Sequence, residues 1–173
     1  GVTLRSGTYL YSSISAALPV LNGGANRKKA LVIISDGDDN ERMAGLNRDL
    51  LTRAVQQAQQ SEALIYVIGI GAPKPSTEQL MALDPQTRRR YFYDPPVDVD
   101  LLRRLTDPTG GYTQLASSTA DLASTVISIA DDLSAQYMIG FESAYSDGTF
   151  HTLKVTTRDP RQRVRAKTGY ASP

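Results

Sequence analysis

The chain has 173 residues, of which 40% are hydrophobic and 21% charged, and its formal net charge is +1. This size and composition are those of an ordinary globular protein with a sizeable core. The near-zero net charge gives no general attraction to nucleic acid or to an anionic membrane. The chain contains no cysteine, which excludes disulfides, zinc–thiolate sites and thiol catalysis. No apolar run approaches the about 18 residues that a membrane-spanning helix needs.

Helices and strands alternate along the first part of the chain. Apolar spacings of three and four indicate helices, and short continuous apolar runs indicate buried strands. The predicted elements are a helix over residues 8–18 limited by Pro19, a strand over 30–35, a helix over 47–61 and a strand over 63–70. The strand over 30–35 reads as buried on both faces. This alternation predicts right-handed crossovers, and therefore a parallel sheet with helices on both faces.

The middle of the chain carries several helix start signals. Ser76 with Gln79 resembles a capping box that opens a short helix to Leu83. Residues 84–97 contain a basic run and an aromatic run, which are followed by a proline pair. This pattern predicts a surface loop that leads into a short strand. The remaining predictions are a helix capped by Asp98 or Asp100, a turn at Gly110, a strand over 112–115 and a helix from Ser118 to about Ser134.

The ending of the chain has the period-two pattern of strands. Strands are predicted over 136–142, 149–157 and 163–167, with a tight turn at 146–148. We expect an antiparallel addition to the edge of the α/β sheet. The chain therefore divides into an α/β core over residues 1–135 and a C-terminal β extension of the same domain over residues 136–173.

An acidic loop directly follows the first predicted strand. Asp36, Asp38 and Asp39 lie within four positions of its last residue. Open α/β sheets bind ligands at the carboxyl ends of their strands. Carboxylate oxygens placed there can meet a divalent cation or a phosphate-bearing substrate. An aspartate at this point can also simply cap the next turn, and Asp38, Asp39 and Asn40 are interpreted as loop formers rather than ligands.

Several motifs together resemble the von Willebrand factor A domain, and more closely the related bacterial family typical of Acidobacteria. In the core they are Gly7-Thr8-Tyr9-Leu10, Val32-Ile33-Ile34-Ser35-Asp36-Gly37 and Ile65-Tyr66-Val67-Ile68-Gly69-Ile70. Further along they are Thr109-Gly110-Gly111, Gln136-Tyr137-Met138-Ile139-Gly140-Phe141 and Val164-Arg165-Ala166-Lys167-Thr168-Gly169-Tyr170. The resemblance covers about residues 7–170. It implies a Rossmann-like α/β fold and a module that binds other proteins without being an enzyme.

The resemblance also implies a metal-ion-dependent adhesion site. In it, Thr8 would supply a hydroxyl and Asp36 a carboxylate to Mg²⁺, Mn²⁺ or Ca²⁺, and a carboxylate of a protein partner would complete the shell. Thr8 can equally be read as a helix N-cap. The family's Asp-x-Ser-x-Ser loop, which lies on a preceding strand, has no counterpart in this sequence. We therefore expect metal binding to be weak or absent, and a sheet edge to be left open for self-association.

Two other functions are compatible with the same residues. A phosphatase of the haloacid dehalogenase-like class would use Asp36 as nucleophile and Asp38 as general acid with Mg²⁺. A metal-independent interaction module would dock a partner strand on the antiparallel ending. The single histidine, His151, gives little support for a catalytic triad. We expect a protein ligand, no nucleic-acid partner, no membrane span and a secreted, periplasmic or cell-surface location.

Overall fold

Three parallel strands form the centre of the fold in a computed structural model of the chain, which describes residues 9–37, 39, 47–93 and 96–172. The strands are β1 (Ala30–Ser35), β2 (Leu64–Ile70) and β3 (Thr113–Ala116), and they lie in the order β1-β2-β3. In the register, Ala30 lies opposite Leu64 and Val67 lies opposite Thr113. The predicted parallel α/β sheet is confirmed.

Helices cover both faces of this sheet, as predicted. They are α1 (Leu10–Asn22), α2 (Asn47–Gln60), α3 (Thr77–Ala82), α4 (Pro85–Tyr93), α5 (Val99–Thr106) and α6 (Thr119–Ser134). Helices α1, α2 and α5 pack on one face, where Ile14, Ala54 and Leu102 join Ile65 in one buried cluster. Helix α6 packs on the other face, where its Ile129 contacts the cluster of Tyr66 and Ile68. Apolar burial on both sides of β2 is the main stabilising contribution.

Strand β1 is buried less than its sequence predicts. Leu31 and Ile33 pack against the α1, α2 and α5 side, whereas Val32 is 43% exposed and Ile34 is 53% exposed on the α6 side. The prediction that this strand is buried on both faces is therefore wrong. The physical reason is that α6 packs mainly against β2 and β3, and that no strand pairs beyond β1 within the described part of the chain.

Side-chain caps begin three of the helices at the predicted positions. Ser76 and Gln79 form the reciprocal capping box of α3. Asp98 accepts a hydrogen bond from the N–H of Leu101 at the start of α5. Ser118 accepts one from Asp121 at the start of α6. Each bond satisfies a backbone donor that the first helical turn leaves without an intrahelical partner.

Helix α1 was expected to end at Pro19, and this prediction is wrong. The helix continues through Pro19 to Asn22, and the Pro19 carbonyl accepts a hydrogen bond from the N–H of Gly23. Proline removes one backbone donor but keeps its carbonyl acceptor. The apolar stripe also continues past it, because Leu18 is buried and Leu21 packs against the core. The predicted start at residue 8 lies outside the described residues.

Residues 84–97 were predicted as a surface loop and contain helix α4 instead. The Asp84 carboxylate accepts hydrogen bonds from the N–H groups of Gln86 and Thr87. Pro85 occupies the first helical position, where its missing donor costs nothing. The predicted short strand is reduced to a single parallel bridge between Pro73 and Val97.

The C-terminal extension contains less strand than predicted. Its two strands, β4 (Phe150–Thr152) and β5 (Gly169–Ala171), pair with each other as a separate antiparallel sheet. Residues 136–142 and 163–167 are not in strands. The expected addition to the edge of the parallel sheet is therefore wrong. Alternation shows how side chains divide between two faces, but a strand also requires a neighbouring backbone to pair with.

Polar contacts hold this extension against the core. Arg165 forms an ion pair with Asp132 of α6, and its guanidinium lies 4.8 Å from the centre of the Tyr112 ring. Lys167 donates a hydrogen bond of 2.6 Å to the carbonyl of Ser61. The N–H of Thr168 donates to the carbonyl of Pro108 at 3.1 Å. We call residues 163–168 the C-terminal arm.

Candidate functional site

The loop after β1 begins with Asp36 at the carboxyl end of the sheet. Its side chain is exposed, and the Ser35 hydroxyl lies 3.5 Å from Asp36 Oδ1. The same hydroxyl oxygen accepts a hydrogen bond of 3.0 Å from the N–H of Gly37. Gly37 has a φ of 82°, a left-handed conformation that favours glycine. This tight turn holds the Asp36 carboxylate at the rim of the sheet, facing solvent.

Asp39 joins this loop to the beginning of helix α1. Its side chain is only 2% exposed, and its Oδ2 accepts a hydrogen bond of 3.0 Å from the N–H of Tyr11. Tyr11 is the second residue of α1, and the residue preceding the helix, Tyr9, provides no side-chain cap. Asp39 therefore caps the helix from 28 positions away. A negative charge is also favoured there by the helix dipole.

The capping role of Asp39 differs from the sequence-based interpretation of this residue as a loop former. Three aspartates within four positions look equivalent in the sequence. The signal that could have distinguished them is the lack of a capping side chain at Tyr9. Even so, only the packing of α1 against β1 decides which carboxylate reaches the helix.

The other predicted site residues fall partly outside the described residues. Asp36 is described, whereas Thr8, Asp38 and Asn40 are not. Thr8 directly precedes Tyr9 in the sequence, and Tyr9 precedes the helix that Asp39 caps. That the Thr8 hydroxyl lies close to the Asp36 carboxylate stays a prediction.

The donors around Asp36 suit a hard cation in type but are few. Mg²⁺ prefers about six oxygen ligands in an octahedron and commonly keeps several waters. Asp36 can offer carboxylate oxygens, while Asp39 Oδ2 already accepts from the Tyr11 N–H. The described residues contain no group of three or more His, Cys, Asp or Glu side chains that could hold a metal ion. The residues therefore fit a partial site that leaves several positions to water or to a ligand.

Two surface grooves among the described residues lie away from Asp36. The larger is an open groove of about 440 Å³ beside α5, lined by Val55, Asp100, Arg103, Arg104, Asp107 and Pro108. The smaller lies between the ends of α1 and α2. A phosphatase site would need a substrate pocket over Asp36, as well as Asp38, which is outside the described residues. The enzymatic alternative stays a prediction.

His151 belongs to a hydrogen-bonded cluster around Asp147 in the C-terminal extension. Asp147 Oδ1 accepts from the Ser172 hydroxyl at 2.7 Å, from the Thr149 N–H at 3.0 Å, and lies 3.0 Å from His151 Nε2. Serine and histidine thus contact the same carboxylate oxygen, whereas a catalytic triad places histidine between the other two. The Ser172 hydroxyl first, and then the Thr149 N–H and His151, hold the pKa of Asp147 well below its usual range. This cluster closes the β4–β5 hairpin.

No protein-family model, no curated protein and no solved structure matches this chain. Within the described residues, no helix combines the length and the apolar character that crossing a membrane requires.

Proposed function

We propose that this chain is a non-enzymatic protein-binding module of the von Willebrand factor A type. Its binding surface would be the carboxyl rim of the parallel sheet, centred on Asp36. The α/β fold with helices on both faces and an exposed carboxylate at the end of β1 supports the proposal. Ligand binding at the carboxyl ends of parallel strands is the general behaviour of open α/β sheets.

The observation that carries the proposal is the buried hydrogen bond between Asp39 and Tyr11. Asp36 precedes Asp39 by three positions, and Thr8 precedes Tyr11 by three positions. The bond joins the loop that begins at Asp36 to the first turn of α1, and this supports the proposal that Thr8 and Asp36 act at one site. Burial of the charged group makes this anchor costly to break, because an unpaired buried carboxylate loses its solvation without compensation.

A divalent cation would be held by the Asp36 carboxylate and the Thr8 hydroxyl, and when bound it would offer an open position to a partner's carboxylate. With so few protein oxygens the affinity is expected to be in the millimolar range at best. The protein's own contribution is to fix the turn at Gly37 and to keep Asp36 facing outwards. The same surface could not bind a partner carboxylate without the cation, because two like charges would face each other.

Amide NMR with Mn²⁺ as a paramagnetic probe tests the site directly. We expect millimolar Mn²⁺ to broaden the signals of residues 9–11 and 36–37 selectively. The Asp36→Ala variant should lose this broadening. Asp131→Ala, which removes an exposed aspartate from α6, is the matched control and should retain it. Broadening that persists in Asp36→Ala, or binding in the micromolar range by the chain alone, would contradict the partial site.

The two alternative functions give different results in the same samples. A short aspartate-containing peptide should shift the same amide signals with Mg²⁺ present and should not do so after EDTA. Peptide shifts that survive EDTA would favour the metal-independent module. Turnover of an aryl phosphate that is lost in Asp36→Asn would favour the phosphatase.

A further inference from the structure

The segment that follows β2 leaves the sheet at the same rim as Asp36. In the parallel register Ser35 lies opposite Gly69, so Asp36 follows β1 at the level where Ile70 ends β2. The chain then forms the short helices α3 and α4 before it returns to the core at α5. We call residues 71–93 the rim insertion.

Val97 fixes the base of the rim insertion against the turn after β1. The N–H of Val97 donates a hydrogen bond to the carbonyl of Ala72, and its carbonyl accepts one from the N–H of Lys74, both at 2.9 Å. The Val97 side chain is buried, and a Cβ atom added to Gly37 would lie 3.8 Å from its Cγ1 atom. A Cβ atom added to Gly71 would lie 3.2 Å from its Cγ2 atom. The turn beside Asp36 and the start of the rim insertion therefore pack on one side chain.

The two helices of the rim insertion carry exposed side chains that the core does not use. Helix α3 has no buried residue, and its Met81 is 71% exposed. Helix α4 exposes three consecutive arginines, Arg88, Arg89 and Arg90. None of the three forms an ion pair with another residue in the described part of the chain. Their guanidinium groups are therefore open to a partner.

We propose that the rim insertion binds the same partner as the Asp36 site, and that this partner is an acidic protein segment with several carboxylates. The inference rests on the proposed function, in which one carboxylate of the partner completes the shell of the cation. Further carboxylates of the same segment would then pair with Arg88, Arg89 and Arg90. A guanidinium group suits this role because it can bind a carboxylate through two parallel hydrogen bonds.

The other charges at this rim favour an acidic protein segment over a nucleic acid. Asp36, Glu78 and Asp84 are also exposed, so cations and anions alternate along the rim loops. A continuous phosphate backbone would meet these carboxylates as well as the arginines, and each such meeting is repulsive. Separate carboxylates on a peptide can instead reach the arginines one by one. The exposed thioether of Met81 adds an adaptable apolar contact for peptide side chains.

Fluorescence anisotropy with two labelled peptides tests this partner class. The first peptide carries a single aspartate, and the second has the same length with several aspartates in place of serines. With Mg²⁺ present we expect the second peptide to bind about tenfold more tightly, because exposed ion pairs contribute modestly and several are added. This preference should shrink at high salt, since the arginines are exposed to solvent.

The variant Arg88→Gln, Arg89→Gln and Arg90→Gln, combined in one chain, tests the role of α4. Glutamine removes the charges but keeps good helix formers, so the fold should be retained. Unchanged amide signals of β2 would verify this. We expect the variant to bind the two peptides with equal affinity.

The matched control is Lys154→Gln, Arg158→Gln and Arg163→Gln, also combined in one chain. It removes three exposed cations from the C-terminal extension and changes the net charge by the same amount. This control should keep the preference for the peptide with several aspartates. An equal loss of preference in both triple variants would overturn the proposal, because general charge would then explain the binding.

Three further outcomes would overturn the proposal. They are equal affinity of the unchanged chain for both peptides, no measurable binding of the peptide with several aspartates, and equally strong competition by a single-stranded oligonucleotide of matching charge. The last result would assign the arginines to phosphate groups.

The cation site is tested separately by Asp36→Ala, which should weaken the binding of both peptides and keep the preference. A preference that depends on the arginines but not on Mg²⁺ would contradict the cation site alone. Binding that depends on Mg²⁺ but shows no preference would contradict the role of the rim insertion alone.

Discussion

Asp39 shows how one buried carboxylate can tie the loop after β1 to a helix that is distant in sequence. It satisfies the N–H of Tyr11 in the first turn of α1 and is itself almost completely buried. Its neighbour Asp36 is exposed, and in the proposed site the two aspartates would divide anchoring and binding between them. Removing either one should have different consequences.

Replacing Asp39 by alanine should lower the free energy of unfolding by about 1–3 kcal/mol, because the Tyr11 N–H loses its acceptor in a buried position. Asp39→Asn keeps a side-chain acceptor and should lose less. Urea denaturation measures both. Asp131→Ala on the exposed side of α6 is the control and should be nearly neutral. An equal loss in Asp39→Ala and Asp131→Ala would show that the carboxylate does not anchor the loop.

Asp147 makes the hairpin of β4 and β5 sensitive to acid. Because the pKa of Asp147 is held below its usual range in the folded chain, its ionised form stabilises the hairpin. That stabilisation is complete above the ordinary aspartate pKa of about 4 and is lost as the pH falls below it towards the folded-state value. The amide protection factors of residues 149–152 and 169–171, which are corrected for the intrinsic pH dependence of exchange, should therefore fall on acidification below about pH 4.

The variant Asp147→Asn isolates this effect. It should show faster exchange in the hairpin at neutral pH and a flatter response to acid, while β1 and β2 exchange as before. An unchanged acid response in Asp147→Asn would assign the sensitivity to another group.

At the scale of elements, the parts of the fold that were predictable are those with long regular patterns. The continuous apolar runs of β1 and β2 indicate strands, and the apolar stripes of α2 and α6 indicate helices. The spacing of apolar residues is informative here because it follows from burial on one or two faces. The caps at Ser76, Asp98 and Ser118 could be predicted for the same reason, since a cap is a local interaction.

The wrong predictions at this scale share one cause, which is that these segments depend on contacts with distant parts of the chain. Helix α4 lacks an apolar stripe, and its start at Asp84-Pro85 resembles a turn. Residues 136–142 alternate like a strand, but no strand among the described residues pairs with them. The candidate site also combines a local and a non-local feature. The position of Asp36 at the end of β1 could be predicted from the sequence, whereas the contact of Asp39 with Tyr11 depends on how α1 packs.

At the scale of the whole molecule, a few contacts join the C-terminal arm to the α/β core. The Arg165 side chain links three elements, because it pairs with Asp132 of α6 and lies over Tyr112 beside β3. Asp132 also accepts a hydrogen bond from the Tyr66 hydroxyl of β2 at 2.7 Å. Burial first, and then Asp132, raise the pKa of Tyr66, so its hydroxyl keeps its proton at neutral pH.

Arg165→Ala should loosen the arm without unfolding the sheet. Both partners are partly exposed, so we expect a loss of only about 1 kcal/mol from the ion pair and the ring contact together. Amide exchange at Leu153 and Thr168 should accelerate, and proteolysis should begin within 158–163. Arg163→Ala, two residues earlier and exposed, is the matched control. Equal effects in the two variants would remove Arg165 from this role.

The two margins of the parallel sheet differ in length, since β1 spans six residues and β3 only four. Short margins are one of the ways in which native proteins avoid unwanted growth of a sheet. Within the described residues, the β1 margin therefore has less of this protection than the β3 margin. Non-native strand pairing in a destabilised chain is expected to begin at β1.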